Sequence, residues 1–191
     1  MKKLMVALLM LTAMSSFALA QDFIGLFADV EGTFCDSEIV AFGDPVVVHV
    51  MAFIPNVPGG ITAAEFSIFN YPGNPGYPTG TATEAWDSDL VIGDVTWDFS
   101  IAFTEPVYGD FAHLGTIEFQ SFDDLWIGAD YVMSVAPGND CECLVVVDDI
   151  FEIVNVEGGM FTFNCTTGEC VCIEGPTATG DSSWSAVKAL F

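Results

Sequence analysis

Six cysteines are the residues of this chain that most directly predict chemistry. They are Cys35, Cys141, Cys143, Cys165, Cys170 and Cys172. In an oxidising compartment an even number of cysteines predicts disulfides. Cysteines one residue apart rarely bond each other, because their Cα atoms are too far apart in an extended chain. We therefore expect disulfides that join the Cys141 loop to the 165–172 segment, and Cys35 to tie the N-terminal strand to that cluster. The alternative is a thiolate zinc site, since cysteines at these short spacings can hold zinc.

The acidic residues suggest two further kinds of chemistry. Asp123, Asp124 and Asp130 fall in one predicted turn region, and oxygen ligands on loops suit calcium. These three residues predict a calcium site, although no segment follows the EF-hand pattern. A solvated acidic surface is the alternative. No spacing selects two carboxylates as a glycosidase pair.

Catalysis by histidine has few candidates. His49 and His113 are the two histidines, and both fall within strand patterns, which favours structural roles. No Ser-His-Asp or Cys-His arrangement stands out. We therefore predict no catalytic residues and no enzyme, with a secreted hydrolase as the weaker alternative.

Four aromatic residues are candidates for a ligand platform. Tyr71 and Tyr77 stand in a segment rich in proline and glycine, and Trp86 and Trp126 stand at predicted strand edges. Exposed planar rings can stack on sugar rings, so these residues predict a carbohydrate-binding platform. The alternative is packing in the core and in turns, which accounts for most aromatic residues of such folds.

An alternation of period two predicts the elements that must position these side chains. Val95, Trp97, Phe99, Ile101 and Phe103 alternate with polar or small residues, as in a half-buried strand, and this places Trp97 inside. The segment 46–54 is apolar on both faces except at His49 and predicts a central strand. Further predicted strands are 23–28, 63–69, 111–120, 131–135, 144–147, 150–154 and 160–163. About eight or nine short strands with almost no helical period predict an all-β, antiparallel two-sheet sandwich of immunoglobulin-like type.

Three segments carry a family resemblance. Gly43 to Val48 resembles an opening strand of the cohesin and carbohydrate-binding type of sandwich found in secreted bacterial proteins. Gly59 to Ile68 is similar to the next strand of those domains, and His113 to Phe119 is similar to a later one. The resemblance implies the fold and a role in binding an extracellular protein or a glycan.

The two ends of the chain differ from the middle. Residues 1–20 combine two lysines, an apolar run and Ala18-Leu19-Ala20, which predicts a cleaved signal peptide. Residues 21–174 then form the predicted sandwich domain. Residues 175–191 are predicted to be a linker and a short amphipathic helix, on which Trp184, Val187, Lys188 and Phe191 form the tail. The last nine residues resemble a short tail that ends many exported bacterial proteins.

Charge limits the classes of partner. The 191 residues carry 27 acidic and three basic side chains, a formal charge of −24, which becomes −26 once Lys2 and Lys3 leave with the signal peptide. One remaining cation cannot neutralise a nucleic-acid backbone or an anionic membrane, so both partners are excluded. Hydrophobic residues make up 52% of the chain, which excludes a disordered acidic tail. We therefore predict a secreted, non-catalytic interaction or structural module without a membrane span after cleavage, with calcium as its only predicted cofactor and a carbohydrate-binding module as the alternative.

Overall fold

The computed structural model describes residues 21–37, 44–72, 80–121, 127–166 and 170. These residues form twelve strands: β1 Phe23–Phe27, β2 Pro45–Phe53, β3 Ile61–Phe69, β4 Gly80–Trp86, β5 Leu90–Asp94, β6 Asp98–Val107, β7 Phe111–Ser121, β8 Tyr131–Ala136, β9 Val145–Asp148, β10 Ile153–Asn155, β11 Glu157–Gly158 and β12 Met160–Phe163. In this part of the chain no helix is long and apolar enough to cross a membrane. The signal peptide and the C-terminal helix predicted above lie outside the described residues.

The strands form two sheets. The first has the order β11-β1-β2-β7-β4, and the second has the order β10-β9-β3-β6-β5. Strand β3 also pairs with β8 at its C-terminal end, and β8 pairs with β12. All these pairings are antiparallel except that of β1 with β11. The predicted all-β, two-sheet sandwich is therefore confirmed.

The core lies between the sheets because one face of each alternating strand is apolar. Ile24 of β1, Val50 of β2 and Ile117 of β7 point inward from the first sheet and are fully buried. They face Phe66 of β3 and Phe99 of β6, whose rings pack edge to face with centroids 5.4 Å apart. Aromatic pairs in this geometry add to the stabilisation that comes from burial alone.

A second apolar cluster lies on the outer face of the first sheet. Phe23 and Phe27 of β1 pack there with Cys35, Met51 and Phe53. The segment that follows β1 is held over this cluster by a turn in which the Asp29 carboxylate accepts a hydrogen bond from the Thr33 backbone N–H. Strand β1 is therefore buried on both faces, and the second half of β2 is likewise buried on both faces, as expected of a central strand.

The nine predicted strands all have counterparts, but three strands were missed. Strand β4 has the sequence GTATEAW, and its small and polar residues do not alternate in hydrophobicity. Strand β5 is a short edge strand whose residues are all exposed, and β11 has only two residues. Each of these three strands is held by hydrogen bonds to a neighbouring strand. The sequence pattern of a strand does not show which other strand it pairs with, so these strands could not be predicted from alternation.

Trp97 is a further difference, because it lies outside and not inside. Strand β6 begins at Asp98, which pairs with Asp94, so Trp97 belongs to the turn between β5 and β6. Its side chain is exposed, and its Nε1–H donates a hydrogen bond to Asp140 Oδ1 at 3.2 Å. The alternation therefore holds from Phe99 onward but does not extend back through the turn.

Candidate functional site

An apolar strip crosses the outer face of the second sheet. The strand registers align Leu90 of β5, Ala102 of β6, Ala63 of β3, Val147 of β9 and Ile153 of β10 in one row. The next row begins with Ile92 and continues through Ser100, Glu65 and Val145. We call the surface formed by Leu90, Ile92, Ala63, Ala102, Val147 and Ile153 the apolar face.

The apolar face is concave because its large side chains stand at the edges and its small ones in the middle. Leu90, Ile92 and Ile153 are 52%, 58% and 69% exposed. The small residues Ala63 and Ala102 lie between them and leave an open depression of about 120 Å³. Cavities that hold small ligands usually have volumes of about 300–1,000 Å³. The face therefore suits a protruding group on a broad surface better than an enclosed small molecule.

Negative charge surrounds the apolar face. Glu65 lies within its lining, and Asp94 and Asp98 lie where β5 and β6 meet. The only lysines of the chain are Lys2, Lys3 and Lys188, all outside the described residues, and the chain has no arginine. The described residues therefore offer many carboxylates and no lysine or arginine to neutralise them, and their surface will attract cationic groups.

The predicted aromatic platform is wrong for the two candidates that can be placed. Tyr71 is only 7% exposed, packs against Phe119 with ring centroids 5.2 Å apart and donates a hydrogen bond to Glu84 Oε1 at 2.9 Å. Its burial and the nearby Glu84 carboxylate hold the pKa of the Tyr71 hydroxyl far above its ordinary value. Trp86 is half-buried against Phe99, with ring centroids 4.5 Å apart. Both rings pack against aromatic residues of the core between the sheets, so neither forms an exposed platform. The other two candidates, Tyr77 and Trp126, lie outside the described residues.

The predicted calcium ligands can be placed only in part, because Asp123 and Asp124 lie outside the described residues. The two carboxylate oxygens of Asp130 accept hydrogen bonds from the Thr166 backbone N–H and hydroxyl, at 2.8 and 2.6 Å. These hydrogen bonds lower the pKa of Asp130. Asp130 therefore holds a turn against the chain after β12, and a calcium site there stays a prediction.

The predicted disulfide links between the Cys141 loop and the 165–172 segment are wrong. Cys165 bonds Cys170, Cys35 is also disulfide-bonded, and Cys141 and Cys143 are free thiols. The reason is distance along β8: Cys165 follows β12 near Tyr131, at the start of β8, whereas Cys141 follows the end of β8. A six-residue strand spans roughly 17 Å, and disulfides join Cα atoms less than about 7 Å apart. The C-terminal tail residues Trp184, Val187, Lys188 and Phe191, like Cys172, lie outside the described residues.

The two histidines meet on the outer face of the first sheet, which the sequence did not predict. His113 Nδ1 lies 2.6 Å from Asp87 Oδ2, and His113 Nε2 lies 3.0 Å from His49 Nδ1. A register shift between Val50 and Met51 pairs Met51 with His113 and turns His113 outward. Burial and the neighbouring His113 lower the pKa of His49. The array satisfies the ring nitrogens at these contacts, which fits the structural roles expected for both residues.

Comparison with known proteins finds likeness in structure alone. No protein-family model matches the chain, and no curated protein matches it. The sixth cohesin of scaffoldin B from Acetivibrio cellulolyticus, solved in complex with a Cel5 dockerin mutant, is 10% identical, with a TM-score of 0.46 over 76% of this chain and 99% of that chain. CaCohA2 of Clostridium acetobutylicum, solved in solution, is 17% identical, with a TM-score of 0.42 over 75% of this chain and 90% of that chain. CaCohA2 in complex with CaDoc0917 is 15% identical, with a TM-score of 0.43 over 74% of this chain and 99% of that chain. All three are cohesin structures, the type of sandwich that the sequence resembles, and at this identity the likeness concerns the fold alone.

Proposed function

We propose that this chain is a secreted, non-catalytic protein-interaction module that binds a protein partner through the apolar face. The observation that carries the proposal is the exposure of Leu90, Ile92 and Ile153 on the outer face of the second sheet. Large apolar side chains grouped on a surface mark interaction sites more often than chance exposure does.

Shape and charge favour a protein partner over a glycan. The face is lined by aliphatic and small side chains, whereas aromatic rings provide the stacking surfaces for sugars. Carboxylates lie at its border, and the described chain carries no lysine or arginine. We therefore expect a partner with an apolar centre and a rim of lysine or arginine, whose association is steered by opposite charge and weakens as salt rises.

The composition of the face supports the non-catalytic part of the proposal. Glu65 is the single titratable residue among those that line the depression. General acid–base catalysis needs at least one positioned proton donor or acceptor at a reacting atom, and hydrolysis usually needs two groups. Export is supported by the signal-peptide pattern of residues 1–20 and by the disulfide between Cys165 and Cys170.

Binding measurements on charge-introducing variants test this function. Ile92→Asp and Ile153→Asp each place a carboxylate on one of the exposed side chains at the edges of the apolar face, whereas Val30→Asp adds the same charge at an exposed position outside that face. The probes are purified dockerins, exported proteins of the source organism and a glycan array. We expect a protein partner whose affinity falls by about 30-fold or more in the first two variants, the loss typical of a hot spot, and is unchanged in Val30→Asp. Equal binding by all three variants, or binding to glycans alone, would contradict the proposal.

A further inference from the structure

We propose that Glu65, Cys141 and Cys143 form a binding site for a zinc-class divalent cation. The ligand atoms of these three residues lie within 4.8 Å of one another. Cys141 Sγ lies 3.1 Å from Glu65 Oε1. We call this group the Glu65–Cys141–Cys143 site. Glu65 also lines the apolar face, but the test below measures metal binding to this chain alone, so its outcome does not depend on whether a protein binds that face.

The fold holds these three residues together from elements far apart in the sequence. Glu65 lies on β3 and pairs with Val145 at the start of β9, two residues after Cys143. The turn before β9 is closed by hydrogen bonds from the Gly138 N–H to the Cys143 carbonyl, at 2.7 Å, and from the Glu142 N–H to the Gly138 carbonyl, at 2.9 Å. The site is thus built on a strand and a turn that are already hydrogen-bonded, which reduces the cost of ordering the ligands on binding.

A second set of hydrogen bonds anchors the same turn to the hairpin of β5 and β6. The Asn139 backbone N–H and side-chain amide both donate to the Trp97 carbonyl oxygen, at 2.9 and 2.8 Å. This contact carries the cysteine turn next to the start of β6, where Asp98 lies. The exposed Trp97, whose ring donates to Asp140 on this turn, therefore has a structural reason for its position.

The separation of Cys141 Sγ and Glu65 Oε1 is close to that of two ligands in a tetrahedral zinc site. Zinc–sulfur bonds of about 2.3 Å and zinc–oxygen bonds of about 2.0 Å place a sulfur and an oxygen ligand about 3.5 Å apart. The separation of Cys141 Sγ and Glu65 Oε1 is 3.1 Å. These two atoms therefore need to move apart by only about half an ångström to bind the same zinc ion.

Asp98 is available as a fourth ligand. Its Oδ1 lies 3.9 Å from Cys141 Sγ, and Gly138 leaves room for it, because a Cβ at position 138 would lie only 2.0 Å from that oxygen. With Asp98 the donor set is two thiolates and two carboxylates; without it, water completes the coordination. Cys141 is exposed, so an ion can enter from solvent.

The chemistry of the donors selects the metal. Thiolates prefer zinc and other soft or borderline ions, whereas calcium and magnesium prefer oxygen ligands. The Glu65 carboxylate, whose Oε1 lies 3.1 Å from Cys141 Sγ, adds negative charge that stabilises a bound dication.

Cobalt titration of the full chain, untagged and kept free of oxygen, tests the site. Thiolate ligation of Co²⁺ produces a sulfur-to-metal charge-transfer band, which carboxylates and histidines do not produce, and the visible bands of the bound ion report whether its geometry is tetrahedral. We expect one equivalent of Co²⁺ to bind, Zn²⁺ to displace it and Ca²⁺ to leave it in place. Cys141→Ser and Cys143→Ser should each weaken the charge-transfer band, and the double substitution should remove it. Glu65→Gln should weaken binding by on the order of 10–100-fold, at least the loss seen for groups that only support a ligand.

Glu118→Gln is the matched control. Glu118 is an exposed strand carboxylate on the other sheet, so its substitution removes the same charge without touching the site. The proposal is overturned if no thiolate band develops, if the band survives in the double variant Cys141→Ser, Cys143→Ser, or if Glu65→Gln and Glu118→Gln bind cobalt equally. It is also overturned if mass spectrometry of the oxygen-free protein finds Cys141 and Cys143 joined in a disulfide.

Discussion

Replacing Tyr71 with alanine tests whether this residue stabilises the core or belongs to a ligand-binding platform. The ring is buried against Phe119, and its hydroxyl donates to Glu84. Removing a buried aromatic ring costs about 3–5 kcal/mol of unfolding free energy, because burial is lost and a cavity remains. Tyr71→Phe keeps the ring and removes only the hydrogen bond to a carboxylate on an exposed residue, so it should cost about 1 kcal/mol.

Urea unfolding followed by tryptophan fluorescence measures both effects. For a domain of this size each kcal/mol corresponds to about 2–4 °C in melting temperature, so Tyr71→Ala should melt at least about 6 °C below the parent. Tyr108→Ala is the control, because Tyr108 is 66% exposed and its loss should change stability by no more than about 0.5 kcal/mol. If Tyr71→Ala loses less than about 1 kcal/mol, or loses binding to a glycan without losing stability, the placement of Tyr71 in the core is refuted.

The remaining predictions concern pH, backbone strain and calcium. His49 has a lowered pKa in the folded protein, so the unfolded chain binds more protons; stability should be complete above the unfolded value of about 6.5 and decrease as pH falls through it. The carboxylates of Asp29, Glu31 and Asp87 oppose this lowering of the pKa. His49→Gln should reduce the loss of unfolding free energy, measured by urea unfolding, between pH 7.5 and pH 5.5. An unchanged loss in the variant would exclude His49 as its source. Gly93 has φ +92°, and a Cβ there would lie 1.9 Å from the Asp98 carbonyl oxygen, so Gly93→Ala should cost at least about 1–3 kcal/mol. Gly128→Ala, whose added Cβ meets nothing within 4 Å, should leave the melting temperature unchanged, and an equal effect of the two substitutions would contradict the strain argument. If Asp123, Asp124 and Asp130 bind calcium, added Ca²⁺ should raise the melting temperature, and Asp130→Asn should abolish the rise. A melting temperature that is the same with Ca²⁺ and with chelator would count against the site.

The candidate sites illustrate why residue type alone was not enough. Cys141 and Cys143 were recognised as unusual from their spacing, but their neighbour Glu65 lies 76 residues before Cys141 and is brought there by the pairing of β3 with β9. His49 and His113 were placed correctly in strands, yet their contact depends on a register shift between β2 and β7. The apolar face was missed because β5 is fully exposed and so lacks the alternation that marks a half-buried strand.

The sequence by itself determined the properties that depend on the local pattern of residues and on totals over all side chains. Alternation with period two identifies a strand that has one buried and one solvent-exposed face, so Phe99 and Ile101 could be assigned to the core. Net charge is a sum over side chains and needs no coordinates to exclude polyanionic partners. Tertiary structure alone decided which faces are covered and which distant residues meet. It buried Tyr71, exposed Trp97 and left Cys141 unbonded to the 165–172 segment. These outcomes depend on strand pairing and sheet packing between distant segments, and the spacing of two segments in the chain does not determine the distance between them in space.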